Sequence, residues 1–146
     1  MPSEKTIDIC LNKYLSYTAW SKAKIMVPKT FLINNEKDLK RAIEILGFPL
    51  WIREVKGAFG KGSLPAKSFD EARIWIDTHN GWGRFTAAEL LDVDRMVTWQ
   101  SIWYKGKLIV AQSRKRLYWE FANRVPSGVT GLTGAGVTVS DKTVDD

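Results

Sequence analysis

Three closely spaced glycines follow an apolar, β-prone run that carries a cation at Arg53. The glycines are Gly57, Gly60 and Gly62, and Lys61 lies among them. Glycine has no Cβ, so a loop of this composition can adopt positive φ and approach a ligand closely. Successive N–H groups in such a loop form a concavity that suits anionic oxygens. The segment therefore predicts a polyphosphate site, although a solvent-exposed glycine hairpin stays open as the alternative.

The loop differs from the nucleotide-binding P-loop, which needs Gly-Lys-Ser/Thr followed by a helix. Ser63 follows Gly62 directly, so the lysine is missing, and residues 63–68 contain a proline and no helical period. The sequence predicts a returning strand there instead. A loop that connects two strands would cover its ligand as a flap, with no helix dipole directed at the phosphates.

Charge and cysteine content restrict the class of protein. The 146-residue chain has a formal net charge of +6, which favours anionic partners without choosing between nucleotides and nucleic acid. The single Cys10 cannot form an internal disulfide, and no apolar run approaches the ~20 residues of a membrane span. His79 is the only histidine, so we expect no zinc-type cluster. These features favour a cytoplasmic protein with no membrane partner.

Hydrophobic periodicity predicts an α+β chain. After an entry helix over residues 11–24, strands are predicted at 30–33, 50–55, 63–66 and 85–91, with helices from about Glu36 to Gly47 and from Ser68 to Asn80. This β-α-β-β-α-β order places the glycine loop between the two middle strands and both helices on one face of the sheet. A hairpin of strands at 97–104 and 108–113 is predicted to follow.

The tryptophans divide by their surroundings. Trp82 and Trp119 lie beside glycine-rich or basic segments and are candidates for ligand contact. The others considered lie in apolar periodic segments and are predicted to be core residues: Trp51, Trp75, Trp99 and Trp103.

Several short motifs occur in a fixed order along the chain. They are Asn12-Lys13 before a helix, Val27-Pro28 after it, Ile52-Arg53 before the glycine loop, Ala88-Glu89-Leu90-Leu91 at the fourth strand, and a glycine/threonine-rich segment from Gly128 to Val139. Together they resemble the ATP-grasp superfamily, most closely its carbamoyl-phosphate-synthetase-like members. The resemblance implies an entry helix and connector over 1–28, an ATP-grasp lid over 29–91, and the truncated start of a β-rich core over 92–146.

The resemblance also implies a set of ATP-binding residues. Lys13 and Arg53 would neutralise phosphate oxygens, and Glu89 with the backbone near Leu91 would hold the adenine. The full implied set is Lys13, Arg53, Gly57, Gly60, Lys61, Gly62, Ser63, Glu89 and Leu91. The acidic residue that holds the ribose has no clear counterpart, and Asp92 and Asp94 are candidates. The entry motif has Asn12 where the family often has Asp.

The implied function is the ATP-binding portion of a ligase that activates a carboxylate for attack by an amine or ammonia. The family's magnesium ligands would lie beyond the end of this chain, and Asp141, Asp145 and Asp146 are unconvincing substitutes. We therefore expect Mg²⁺ only in the complete protein, no activity from this fragment alone, and the rest of its own ATP-grasp core as a partner. The carboxylate substrate and the catalytic residues stay open.

Two other functions stay open at this point. Residues 114–119 combine cations with aromatic rings, which is typical of single-stranded nucleic-acid binding, although an amphipathic strand with solvated arginines is the favoured interpretation. A non-catalytic interaction domain built on the same lid fold is the other alternative.

Overall fold

The computed structural model describes residues 1–92 and 96–140. Within them the chain forms α-helices α1–α4 and antiparallel strands β1–β7, which confirms the α+β class. The helices are α1 Glu4–Leu11, α2 Lys13–Lys22, α3 Glu36–Leu46 and α4 Phe69–Thr78. The strands are β1 Thr30–Ile33, β2 Leu50–Glu54, β3 Leu64–Ala66, β4 Phe85–Glu89, β5 Val97–Tyr104, β6 Lys107–Trp119 and β7 Thr133–Val139.

The entry segment is two helices: α2 corresponds to the helix predicted over residues 11–24, and α1 before it was not predicted. The break lies at Asn12, whose backbone N–H bonds to carbonyls at the end of α1. Its side-chain oxygen accepts hydrogen bonds from the N–H groups of Tyr14 (3.0 Å) and Leu15 (3.1 Å), which begins α2. The backbone of Asn12 is extended, and in this conformation its side-chain oxygen can accept from the first free N–H groups of α2, so Asn12 is the N-cap of that helix.

The first sheet has the strand order β1-β4-β2-β3 and is antiparallel throughout. Its helices begin at capping side chains, because Asn35 accepts from the Asp38 N–H at 3.1 Å and Ser68 accepts from the Glu71 N–H at 3.2 Å. Gly47, with φ of 71°, ends α3. The β-α-β-β-α-β order is confirmed.

The two faces of the first sheet have different roles. On β2, Leu50 and Ile52 are fully buried against α3 and α4, whereas Trp51 and Arg53 alternate with them and lie on the opposite face. The fully buried cluster on the helix-covered face consists of Ile33, Leu39, Ala42, Leu50, Ile52, Ala66, Ala72, Ile76, Phe85 and Ala87.

The second sheet has the order β5-β6-β7, and β6 runs through the basic-aromatic residues 114–119. The prediction that Trp99 and Trp103 are core residues is wrong, because their exposed fractions are 38% and 55%. Helices α3 and α4 pack on the first sheet. The two rings stay exposed, although the apolar alternation of β5 correctly identified it as a strand. No helix in the described part of the chain is long and apolar enough to cross a membrane.

Candidate functional site

One cleft runs between the face of the first sheet opposite α3 and α4 and residues of the second sheet and its connections. It has two compartments of about 280 Å³ and about 300 Å³. Both are lined by Lys13, Trp51, Arg53 and Val129, so they are continuous. We call them the apolar compartment and the loop compartment.

The apolar compartment is covered by one face of the first sheet. Thr30, Trp51 and Ala88 lie in register on neighbouring strands and line it together. Its aromatic lining consists of Tyr17, Trp20, Trp51 and Trp119, and Met96 lies among them. Flat aromatic surfaces of this kind suit a planar heteroaromatic ligand.

The end of β4 and the two residues after it form one side of the apolar compartment. The Glu89 N–H donates to the Lys29 carbonyl at 3.2 Å, and one Glu89 carboxylate oxygen accepts from the Lys29 N–H at 3.0 Å. Glu89, Leu90 and Leu91 all line the compartment. Leu90 and Leu91 follow the last residue of β4, and backbone groups at this strand end can hydrogen-bond to the edge of a ligand ring.

Two cations lie where the compartments meet. The Nε of Arg53 is buried and has no hydrogen-bond partner among the described residues, and burial lowers the pKa of this guanidinium. Burial and then the nearby Arg53 lower the pKa of Lys13, against an opposing effect of Glu54. A buried, unpaired cationic donor is costly unless an anion completes it. The arrangement therefore favours an anionic ligand.

The glycine loop closes the loop compartment. Gly57, Gly60 and Gly62 all have positive φ, and the Lys13 Nζ donates to the Gly57 carbonyl at 2.8 Å. A Cβ at Gly60 would overlap the carbonyl oxygen of Val129, so only glycine permits this approach to the segment before β7. The loop thus folds across the cleft from the first sheet towards the second.

Six loop residues line the loop compartment: Gly57, Ala58, Phe59, Gly60, Lys61 and Ser63. Gly62 does not line it, because its carbonyl points away and accepts a hydrogen bond from Trp75 Nε1 at 3.1 Å. The strand β3 follows the loop, as predicted, in place of the helix that a P-loop requires.

A family model for the RimK-like ATP-grasp domain matches residues 10–92, more than half of the chain. The chain belongs to the RimK-like ATP-grasp family. That span contains the glycine loop, both cleft cations and the segment from Glu89 to Leu91. The resemblance to the ATP-grasp superfamily is confirmed.

Solved ATP-grasp structures share the fold. The chain is similar to a carboxyaminoimidazole ribonucleotide synthase from Aspergillus clavatus, complexed with ATP, at 18% identity and TM-score 0.65, over 79% of this chain and 31% of that one. It is similar to the VanG D-Ala:D-Ser ligase from Enterococcus faecalis at 19% identity and TM-score 0.61, over 73% and 32%.

The biotin carboxylase domain of a 2-oxoglutarate carboxylase from Hydrogenobacter thermophilus, in complex with MgADP, ADP and bicarbonate, matches at 16% identity and TM-score 0.62, over 77% and 28%. The chain therefore spans about a third of the length of these ATP-grasp structures.

Other predicted residues lie away from the ATP-grasp cleft or outside the described residues. Asp92 is exposed and is not among the lining residues. Asp94, the other ribose candidate, and the carboxylates Asp141, Asp145 and Asp146 lie outside the described residues. Among residues 1–92 and 96–140, no group of three or more histidine, cysteine or acidic side chains could hold a metal ion.

Sequence reasoning missed most of the aromatic wall. Trp51, predicted to be a core residue, lies on the cleft face of β2, and the alternation of Leu50 and Ile52 on the other face was the available signal. Trp119 was a candidate for ligand contact and does line the cleft. Tyr17 and Trp20 come from α2 and had no local signal that placed them there.

Proposed function

We propose that the chain is the ATP-binding portion of an ATP-grasp ligase. The observation that carries the proposal is the buried, unpaired Nε of Arg53 beside Lys13, at the junction of an aromatic compartment and a glycine-loop compartment. One end suits a planar base and the other suits a polyphosphate. A nucleoside triphosphate combines both in a single ligand.

The side chains divide the binding task between them. Arg53 and Lys13 bind phosphate oxygens through charge-assisted hydrogen bonds, which are stronger than neutral ones. The backbone at Leu91 and the Glu89 carboxylate form hydrogen bonds to the adenine edge. Gly57, Gly60, Lys61, Gly62 and Ser63 form the flap, which excludes water when it closes.

In the complete ligase, the bound ATP would phosphorylate a carboxylate, and an amine or ammonia would then attack the acyl phosphate. The three solved structures named above are a synthase, a ligase and a carboxylase domain, which supports this reaction class. A closer relationship to carbamoyl-phosphate synthetase stays a prediction, because the family model that matches is RimK-like. A cytoplasmic location also stays a prediction.

We propose that residues 29–91 are the lid, that 92–146 belong to the core, and that 1–28 form the entry segment. The exposed apolar side chains of the second sheet, such as Ile102 and Trp103, support a further core segment or subunit as partner. Magnesium does not fit the described residues, which offer no cluster of ligands for it. We therefore expect this chain alone to bind ATP without turning it over.

Single-stranded nucleic-acid binding is the weaker candidate. The strand β6 alternates, so Arg114 and Arg116 lie on one face and Lys115 on the other. Arg116 is already stacked on Trp119, with its Cζ 3.4 Å from the ring centroid. The basic-aromatic residues therefore do not present one continuous face to a strand of bases.

Isothermal titration calorimetry with ATP, GTP and inorganic tripolyphosphate tests the proposal. ATP should bind more tightly than GTP, and tripolyphosphate should bind through the loop compartment alone. A coupled assay for ADP release, with Mg²⁺ and a range of carboxylic acids, should show no sustained turnover. Absence of ATP binding, or binding of an oligonucleotide with steep salt dependence in its place, would contradict the proposal.

A further inference from the structure

Arg116 connects three parts of the second sheet behind the cleft. Its Nε donates to the Thr133 hydroxyl at 2.8 Å, and its Nη1 lies 3.1 Å from the Met96 sulfur. Its guanidinium stacks on Trp119 at 3.4 Å from the ring centroid. Met96 precedes β5, Trp119 ends β6 and Thr133 begins β7, so one side chain ties together the three strands at this end of the sheet.

Two of the three partners of Arg116, Met96 and Trp119, line the apolar compartment, whereas Arg116 itself does not. Met96 and Trp119 are both lining residues, and together with Val129 they form the side that faces the first sheet. The guanidinium therefore supports the wall from outside the cleft. A stacked arginine is planar and pre-organised, so it restricts the orientation of the indole more than a lysine would.

We propose that Arg116 is a positioning residue for nucleobase binding, which holds Trp119 and Met96 as the wall on which the base stacks. This inference rests on the proposed ATP site and adds the side chain that fixes its second-sheet wall. Every base has a π-face, so the wall by itself does not distinguish adenine from guanine. A purine overlaps an indole more than a pyrimidine does, so the wall should favour ATP and GTP over CTP and UTP.

The alternative is that Arg116 acts only through its positive charge or through the stability of the fold. A charge effect would weaken ATP and tripolyphosphate equally, because both carry phosphates. A purely structural effect would weaken them together as well. A wall for the base predicts a loss that is confined to ligands with a base.

The test compares calorimetric affinities for ATP, CTP and tripolyphosphate in the 146-residue chain. Trp119→Leu should weaken ATP by about tenfold or more, since base–aromatic stacking is lost. Arg116→Met should lower the affinity for ATP about three- to fivefold and the affinity for CTP by less. It should leave the affinity for tripolyphosphate unchanged. Arg114→Met is the matched control, because this exposed arginine on the same strand is not among the cleft-lining residues. It should leave the preference for ATP over tripolyphosphate unchanged.

Two further variants sharpen the test, and the first of them keeps the inference falsifiable if Arg116→Met fails to fold. Arg116→Lys retains the charge and loses the planar stack. Its affinity for ATP should lie between those of the wild-type chain and Arg116→Met, and its affinity for tripolyphosphate should not change. In the Trp119→Leu background, Arg116→Met should lower ATP affinity less than it does in the wild-type chain, because only Met96 is left for it to position. Equal losses for ATP and tripolyphosphate, or additive losses in the double variant, would overturn the positioning role. Wild-type chain that binds tripolyphosphate but not ATP would instead overturn the proposed function, and this inference with it.

Discussion

The two sheets of the molecule differ in how they bury their side chains. The first sheet has α3 and α4 on one face and the cleft on the other. Among residues 1–92 and 96–140, the fully buried hydrophobic side chains all belong to this sheet or to these two helices. The second sheet keeps large apolar side chains exposed, including Ile102 at 63% and Leu117 at 59%. The first sheet is therefore stabilised by its own core, whereas the second is held mainly by strand pairing.

This difference extends into the cleft. Arg53 and Trp51 stand on the well-packed sheet, whereas Met96, Trp119 and Val129 come from or border the less packed one. We infer that the phosphate-binding side is rigid and that the opposite wall adapts more easily. The predictions below test that contrast, from the largest expected effect to the smallest.

The largest effect should follow removal of a core side chain from the first sheet. Phe85 is fully buried on β4, so Phe85→Ala should lower the free energy of unfolding by about 3–5 kcal/mol. Ile102→Ala, on the exposed part of β5, should change it by less than about 0.5 kcal/mol. Urea unfolding followed by circular dichroism would measure both. Comparable losses at the two sites would show that the second sheet has a core of its own.

The second effect concerns affinity. Arg53→Ala should weaken ATP binding by about tenfold or more, because a charge-assisted phosphate contact contributes ~1.5–3 kcal/mol. Lys61→Ala should lower ATP affinity by less, since this exposed lysine lies on the flap whereas Arg53 lies on the packed strand β2. Calorimetry with ATP measures both. If the two variants bind equally well, Arg53 does not have the role assigned to it.

The sequence predicted the first sheet more fully than the second, for a physical reason. Helix caps such as Asn35 and Ser68, and the stop at Gly47, are local signals that do not depend on distant residues. Strand alternation is also local, so β5 was predicted. The exposure of Trp103 was not predicted, because alternation identifies a strand without showing what covers it.

The candidate site divides in the same way. Arg53 and the glycine loop are contiguous in sequence, so the phosphate side could be predicted from one motif. The aromatic wall combines Trp20, Trp51 and Trp119 from segments that only tertiary packing brings together. The capping side chain of Asn12 is likewise a local signal, and it separates α2 from the unpredicted helix α1.

A third prediction concerns the flap, where it bridges the two sheets. Gly60 and Gly106 both have positive φ, but a Cβ at Gly60 would overlap the Val129 carbonyl, whereas a Cβ at Gly106 would meet open space. Both alanine variants should lose about 1 kcal/mol of stability through backbone strain. Only Gly60→Ala should also weaken ATP binding, by about fivefold, because the flap can no longer dock against the second sheet. Limited proteolysis should cut the glycine loop of Gly60→Ala faster than the same loop in the wild-type chain. Equal ATP affinity in both variants would mean that this docking does not contribute to binding.

The smallest effect is a pH dependence at Lys13, on the rigid side of the cleft. Its pKa is lowered in the folded chain by burial and by Arg53, so the unfolded chain binds more protons between that lowered value and the ordinary 10.5. The free energy of unfolding contributed by this residue should therefore rise as the pH increases through that window. Lys13→Met should unfold with a smaller slope against pH than wild type, whereas Lys67→Met, at an exposed position, serves as the control.

The bound nucleotide should reverse this titration. Phosphate oxygens favour the charged ammonium, so ATP binding should take up protons in the same pH window, and its affinity should fall as the pH increases. Calorimetry in two buffers of different ionisation enthalpy measures the proton uptake, and Lys13→Met should reduce it. Proton uptake that is identical in wild type and Lys13→Met would place the ammonium of Lys13 away from the phosphates. Arg53 would then be the main phosphate contact on the first sheet. The difference between a rigid phosphate-binding side and a more adaptable opposite wall would depend on that residue alone.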